Sequence, residues 1–138
     1  MKPPAKPERI RVALPARPKA GWRQRLGGRA FREGHGAEWI AAAVLILKGY
    51  QVLGFRLKTR GVEIDILARQ GRTCVVVEVK RRATLEAALN AVDNQQLERL
   101  RAAGAALLRQ RPGLAGLALR IDTVALAPGR FPRHRRNL

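Results

Sequence analysis

Two charged residues inside a stretch that otherwise calls for burial constrain this chain most. Residues 62–69 (VEIDILAR) and 73–81 (TCVVVEVKR) read as β-strands, with QGRT as the hairpin turn joining them. The run from Cys74 to Val79 is apolar enough to be buried, yet Glu78 and Lys80 break into it. Side chains alternate along a strand, so Glu78 and Lys80 share one face and Val75, Val77 and Val79 the other. By the same rule Glu63 and Asp65 share a face opposite Ile64 and Ile66. A four-residue turn over Gln70–Thr73 sets Asp65 opposite Glu78 and Glu63 opposite Lys80. A two-residue turn at Gln70-Gly71 pairs Glu63 with Glu78 instead. Either way three acids and one lysine gather on one patch of sheet, with opposed Cβ atoms about 4.5–5.5 Å apart.

Like charges this close destabilise a fold unless something neutralises them, and a single lysine offsets only one. A divalent cation completes the balance. Hard oxygen donors, with no cysteine cluster and no paired histidines, favour Mg²⁺ or Mn²⁺ over zinc. Such an ion can position and acidify a water for attack on a phosphodiester, with Lys80 beside it to stabilise charge on phosphorus. Of 28 basic residues only six are lysine, and Lys80 is the only one after Lys58. An ammonium kept in so arginine-rich a chain points to a chemical role. The bland alternative is an exposed sheet face carrying an ordinary Glu63–Lys80 ion pair.

The 138 residues, 46% of them hydrophobic, suffice for one domain with a real core. Residues 1–31 form a basic arm without periodicity, 32–128 a folded domain, and 129–138 a basic tail packed on or near it. A helix is expected over about 35–48, followed by strands at 50–59, 62–69 and 73–81. One long helix over 85–110, with its stop at Pro112-Gly113, precedes a last strand at 117–128. The order α-β-β-β-α-β, with a helical crossover before the last strand, implies an α/β fold with a mixed four-stranded sheet flanked by helices.

A formal net charge of +18 suits a polyanionic partner, nucleic acid first. Aromatic residues are only 4%, which disfavours rows of stacking rings for single-strand binding. The lone Cys74 excludes an intrachain disulfide and a cysteine-cluster zinc site. No run approaches the roughly 18 apolar residues of a membrane span, and no apolar signal segment opens the chain, so a cytoplasmic protein without membrane attachment is expected. Asp122 and Arg120 read as an ion pair on one face of the last strand. Trp39 reads as a packing anchor and Trp22 as a residue that stacks on a base or docks onto the domain. His35 reads as an exposed residue near a helix start, and His134 as phosphate-facing or solvated.

The runs GHGAEWIAAAVLILKGYQVL, RGVEIDILA, VVVEVKRR and LRIDTVALAPGRFPRH, in that order, resemble the YraN-like family of bacterial predicted endonucleases. That family is distantly similar to archaeal Holliday-junction resolvases. The resemblance spans residues 32–138 and implies a restriction-endonuclease-like three-layer fold. It further implies Asp65 and Glu78 as primary metal ligands, Glu38 as an outer metal or water ligand, and Lys80 as the catalytic lysine. Glu63 matches a supporting glutamate, Gln95 or Gln96 a glutamine near the site, and Arg82 a phosphate contact. Val62 departs from the family's usual glycine before EID.

The expectation is therefore a Mg²⁺- or Mn²⁺-dependent endonuclease acting on branched or nicked duplex DNA in repair or recombination. Arg81, Arg82, Arg133, Arg135 and Arg136 would hold backbone phosphates without reading sequence. By analogy with enzymes that meet two equivalent strands, a two-fold homodimer is one arrangement open to it. The alternative is a nuclease scaffold that binds DNA or RNA without cutting it.

Overall fold

The computed structural model describes residues 36–137. The basic arm expected over 1–31, and with it Trp22 and His35, lies outside them. Helix α1 (Gly36–Leu47) leads into strands β1 (Gln51–Lys58), β2 (Glu63–Gln70) and β3 (Thr73–Arg81). Helices α2 (Leu85–Asn90) and α3 (Asn94–Gln110) and a short 3-10 turn (Pro112–Leu114) follow, then strands β4 (Ala118–Leu126) and β5 (Arg133–Asn137). The sheet runs β1-β2-β3-β4-β5. Only the β3–β4 pair is parallel, as a helical crossover requires; the other neighbours are antiparallel.

The mixed sheet between helical layers agrees with the sequence reading, with two corrections. The sheet has five strands: residues 133–137, expected as part of a packed tail, pair with β4 from Ala125↔Arg133 to Ile121↔Asn137. RHRRN carries no apolar alternation, so no strand pattern marks it. The single helix over 85–110 is two helices. Asp93 adopts an extended conformation and its side chain accepts the Gln95 N–H at 2.9 Å, which starts a new helix. Thr84 caps α2 in the same way through the Ala87 N–H.

Two cores sandwich the sheet. Ala41, Ala42 and Leu45 of α1 pack on Phe55, Ile66, Ala68, Val75, Val77 and Val124. On the opposite face Leu100, Ala103 and Leu107 of α3 pack on Leu57, Ile64, Leu67, Cys74, Val76 and Ile121. Gly104 brings α3 close to the sheet, since a Cβ there would lie 2.7 Å from a Leu119 methyl and 3.2 Å from Val76. Trp39 anchors α1 against Phe55, ring centroids 5.0 Å apart.

Beyond the register shift between Val52 and Gly54 on β1, strict alternation fails at one further place. Ile66 packs under α1 while Ile64 packs under α3. Opposite them on β1, Phe55 and Leu57 divide between the same two layers, and their pairings are Phe55↔Ile66 and Leu57↔Ile64. The residue between Phe55 and Leu57 is Arg56, with φ of 52°, the left-handed region that costs a residue with a Cβ about 1–2 kcal/mol. The expectation that Ile64 and Ile66 share a face is therefore corrected: both strands exchange layers at Arg56 and Asp65. β2 and β3 also part here, because their ladder ends at Ile66↔Val77, whereas β3 and β4 stay paired to Arg81↔Leu126.

Candidate active site

The hairpin register decides between the two alternatives left open by the sequence. Pairing continues to Gln70↔Thr73, the register of the four-residue turn, and Gly71 takes the positive φ (59°) that the tight link needs. Continued past the last pair, this register sets Asp65 against Glu78. The strands have parted by then, and the Asp65 carboxylate takes the vacated role, accepting the Val79 N–H at 2.8 Å. Asp65 thus stands in the fork between β2 and β3.

Glu78 is 5% exposed. Its Oε1 accepts from Gln96 Nε2 at 2.9 Å and from Lys80 Nζ at 3.1 Å. Lys80 Nζ also donates to Gln96 Oε1 at 3.1 Å, closing a triangle of acid, amide and ammonium. The ambiguity between Gln95 and Gln96 is resolved. Gln96 precedes the buried Leu100 by four residues and so shares its face, while Gln95 is exposed.

The other oxygen, Glu78 Oε2, is buried and has no hydrogen-bond partner among the described residues. An unsatisfied buried carboxylate oxygen is costly, because burial strips its water and nothing replaces it. Asp65 shows the same strain: burial first, and the Glu78 charge second, push its carboxyl up to about 7 against the lowering effect of the Val79 N–H. Two hard oxygen donors short of positive charge fit a divalent ion of the magnesium type.

Glu38 lies on the first turn of α1 and is held by Arg56, whose Nε reaches Oε1 at 3.1 Å and Oε2 at 2.9 Å. Its charge, like that of Glu63, still raises the Asp65 pKa. Among the described residues, no three His, Cys, Asp or Glu side chains converge as a ready cluster for a metal ion. Sequence reasoning missed Arg56, because a left-handed arginine inside a strand leaves no trace in the hydrophobic pattern. Glu63, Arg81 and Arg82 are exposed, Glu63 at the start of β2, Arg81 at the end of β3 and Arg82 just beyond it.

A second buried network ties β5 to the sheet. Asp122 is fully buried and accepts from Arg120 Nε (2.7 Å) and Nη2 (3.0 Å) and from Tyr50 Oη (3.4 Å). It also binds His134 Nε2 at 2.7 Å. Burial pushes Asp122 up, but the hydrogen bonds from His134 and Arg120 prevail and hold it below the ordinary carboxylate range. The expected Arg120–Asp122 pair is present. The reading of His134 as phosphate-facing or solvated is corrected: its side chain is 3% exposed, with Lys48 Nζ at 3.0 Å from Nδ1. Arg133, Arg135 and Arg136 of the same strand are exposed. The Cys74 thiol is buried and pushed up to about 11 by burial, which leaves it inert as a nucleophile. No helix among the described residues is long and apolar enough to cross a membrane.

Comparison with known proteins places the fork in a family. The profile described as "Uncharacterised protein family UPF0102" matches residues 37–126, from α1 through the end of β4. The chain belongs to UPF0102. It is 53% identical over 115 residues to a UPF0102 protein of Caulobacter vibrioides, an alignment covering 83% of this chain and 92% of that protein. A UPF0102 protein of Caulobacter sp. strain K31 is 50% identical over 121 residues, covering 87% of each. One from Brucella canis is 46% identical over 105 residues, covering 76% of this chain and 83% of the relative. The matched segment of UPF0102 contains Glu38, Asp65, Glu78, Lys80 and Gln96, and ends before β5.

Proposed function

We propose that this UPF0102 protein is a metal-dependent endonuclease-like hydrolase of DNA phosphodiesters, acting on branched or nicked duplex in repair or recombination. The observation that carries the reading is the buried Glu78 Oε2, without a hydrogen-bond partner among the described residues, close to an Asp65 whose carboxyl is pushed up by burial and by the Glu78 charge, in a protein of formal charge +18. Asp65 and Glu78 would hold Mg²⁺ or Mn²⁺, with Glu38 as an outer ligand once released from Arg56, and the ion would supply Lewis acidity at the scissile phosphate.

The chain's own groups do the rest. Lys80 spends two of its three N–H bonds on Gln96 and Glu78, leaving the third to donate to a phosphoryl oxygen as charge builds there. Gln96 fixes both Lys80 and Glu78 from α3, so the ammonium arrives oriented. Arg81, at the end of β3, and Arg82, just beyond it, would grip flanking phosphates, and Arg133, Arg135 and Arg136 would extend that grip.

The test is cleavage of synthetic junctions, flaps and nicked duplexes with and without Mn²⁺ or Mg²⁺. Scission is expected with the ion and is lost in Asp65→Asn and Lys80→Met proteins that still bind DNA. Binding without ion-dependent scission, together with calorimetry that finds no divalent site, would refute the reading. The rival, a scaffold that binds nucleic acid without cutting it, draws support from two observations: Arg56 occupies both oxygens of Glu38, and no cluster of three His, Cys, Asp or Glu side chains is assembled among the described residues.

A further inference from the structure

Arg56 is a cation of the fork that the proposed hydrolysis leaves unused except as a restraint on Glu38. The β1–β2 register places it opposite Asp65, between the pairs Phe55↔Ile66 and Leu57↔Ile64. Its φ of 52° lies where a residue with a Cβ is rarely found and where glycine or asparagine would sit at less cost. Strain of this kind persists where the position serves a function. Here the position carries a guanidinium to the acids. Its hydrogen bond with Glu38 first, and then the charges of Glu38, Glu63 and Asp65, make it hold its proton more tightly than an ordinary arginine, against a smaller opposing effect of burial.

Glu38 holds this guanidinium incompletely. Both carboxylate oxygens meet Nε alone, at 3.1 and 2.9 Å, whereas an arginine–carboxylate pair at its strongest makes two parallel N–H bonds. Nη1 and Nη2 make no hydrogen bond among the described residues. The Arg56 side chain is 42% exposed against 13% for Glu38, so an incoming anion reaches the cation before the carboxylate. The planar edge of an arginine matches two oxygens of a phosphate. A phosphodiester on that edge would draw on the same positive charge that balances Glu38, which sets two anions in competition for one cation.

We infer that Arg56 is a ligand for a substrate phosphate in the fork and that Glu38 holds its place until DNA arrives: the phosphate takes the guanidinium and frees the carboxylate toward Asp65. The inference rests on the proposed nucleic-acid reading. It adds to that reading a binding residue and an order of assembly, in which the substrate completes the set of acids.

The test is a double-mutant cycle on binding alone, in EDTA, read by fluorescence anisotropy of a labelled nicked duplex over a salt series. Arg56→Gly and Arg56→Asn both accept the left-handed backbone, and circular dichroism checks the fold of each. Either should lower the log–log salt slope by about 0.9, the share of one phosphate contact on duplex DNA. Glu38→Gln keeps the shape of the side chain and removes the competing charge. It should tighten binding roughly 2- to 10-fold when Arg56 is present and leave it unchanged when residue 56 is glycine. An unchanged slope in both Arg56 variants overturns the phosphate contact. No tightening by Glu38→Gln, or equal tightening in both backgrounds as a general gain of positive charge would give, overturns the exchange. The cycle needs neither an ion nor a cut, so absent scission with the cycle as expected sinks the hydrolase reading alone. Scission without coupling between Glu38 and Arg56 removes only the exchange.

Discussion

Asp65→Asn should stabilise the metal-free protein at neutral and higher pH, although it removes a residue proposed to be essential. The native carboxyl holds its proton up to about 7, against an ordinary 3.8. At ~1.36 kcal/mol for each tenfold change in proton affinity, the charged form is disfavoured in the fold by about 4 kcal/mol, as an order of magnitude. The sign follows from the raised value. The folded state binds the proton more tightly than the unfolded chain, so this contribution is full below about pH 4, declines as pH rises, and is gone above about pH 7. Asparagine keeps an oxygen to accept the Val79 N–H and brings no charge to Glu78. Urea unfolding in EDTA from pH 4.5 to 8.5 should show wild-type stability falling across that window and the variant without that fall. At pH 8 the gap should reach up to about 4 kcal/mol, or ~2 M in midpoint for a slope near ~2 kcal/mol/M. Millimolar Mn²⁺ should close the gap by stabilising the wild type alone. A variant no more stable than wild type at pH 8 in EDTA would refute the idea that the fork stores electrostatic strain.

Gln96→Ala should cost about 1–3 kcal/mol in thermal or urea unfolding, because Glu78 Oε1 and Lys80 lose their shared partner inside the protein; Gln95→Ala, at an exposed position, should change stability by less than about 0.5 kcal/mol. Asp122→Ala should destabilise by about 3–5 kcal/mol by leaving the Arg120 guanidinium uncompensated, and hydrogen exchange should show residues 133–137 losing protection first. Because Asp122 is held below the ordinary carboxylate range, its contribution is present at neutral pH and is lost as pH falls through the acid range, so acid unfolding of the wild type should release β5 early. Gly104→Val should lower stability by about 1–3 kcal/mol, since Leu119 and Val76 already crowd the position.

The sequence discloses the parts of this fold that depend on alternation and helical stripes. The VVV run of β3 is buried on both faces, as its unbroken apolar character requires, and the alanine-rich first helix and the crossover helix each bury one face against the sheet. What stayed hidden depends on departures from pattern. β5 is held by Asp122 and His134, a buried polar contact from a strand with no apolar face, so hydrophobic periodicity says nothing about it. The break at Asp93 is a side chain competing with the helix for a backbone N–H, a local choice that an amphipathic reading of residues 85–110 passes over. The choice between Gln95 and Gln96 stayed open in the sequence; the fold makes it, with Gln96 bonded to Glu78 and Lys80 and Gln95 in solvent.

The departures explain why a site exists where it does. A sheet that alternated faithfully through Asp65 would keep β2 zipped to β3, satisfy Val79 through the backbone and leave no opening. Exchange of layers at Arg56 and Asp65 instead ends the ladder at Ile66↔Val77, leaves the edge of β3 carrying Glu78 and Lys80 unpaired by β2, and turns the Asp65 side chain into a substitute for the missing strand. The same exchange brings Arg56 over Glu38, so the acid on α1 is restrained by the residue whose backbone opens the fork. Replacing Arg56 with glycine separates the two effects. Glycine accepts the left-handed conformation without cost, so the fork should persist with an intact ladder to Ile66, while Glu38 is released toward Asp65. If Glu38 is an outer ligand, calorimetry should then find tighter Mn²⁺ binding than in the wild type. Unchanged or weaker binding would confine Glu38 to its ion pair and leave Asp65 and Glu78 as the only acids of the site.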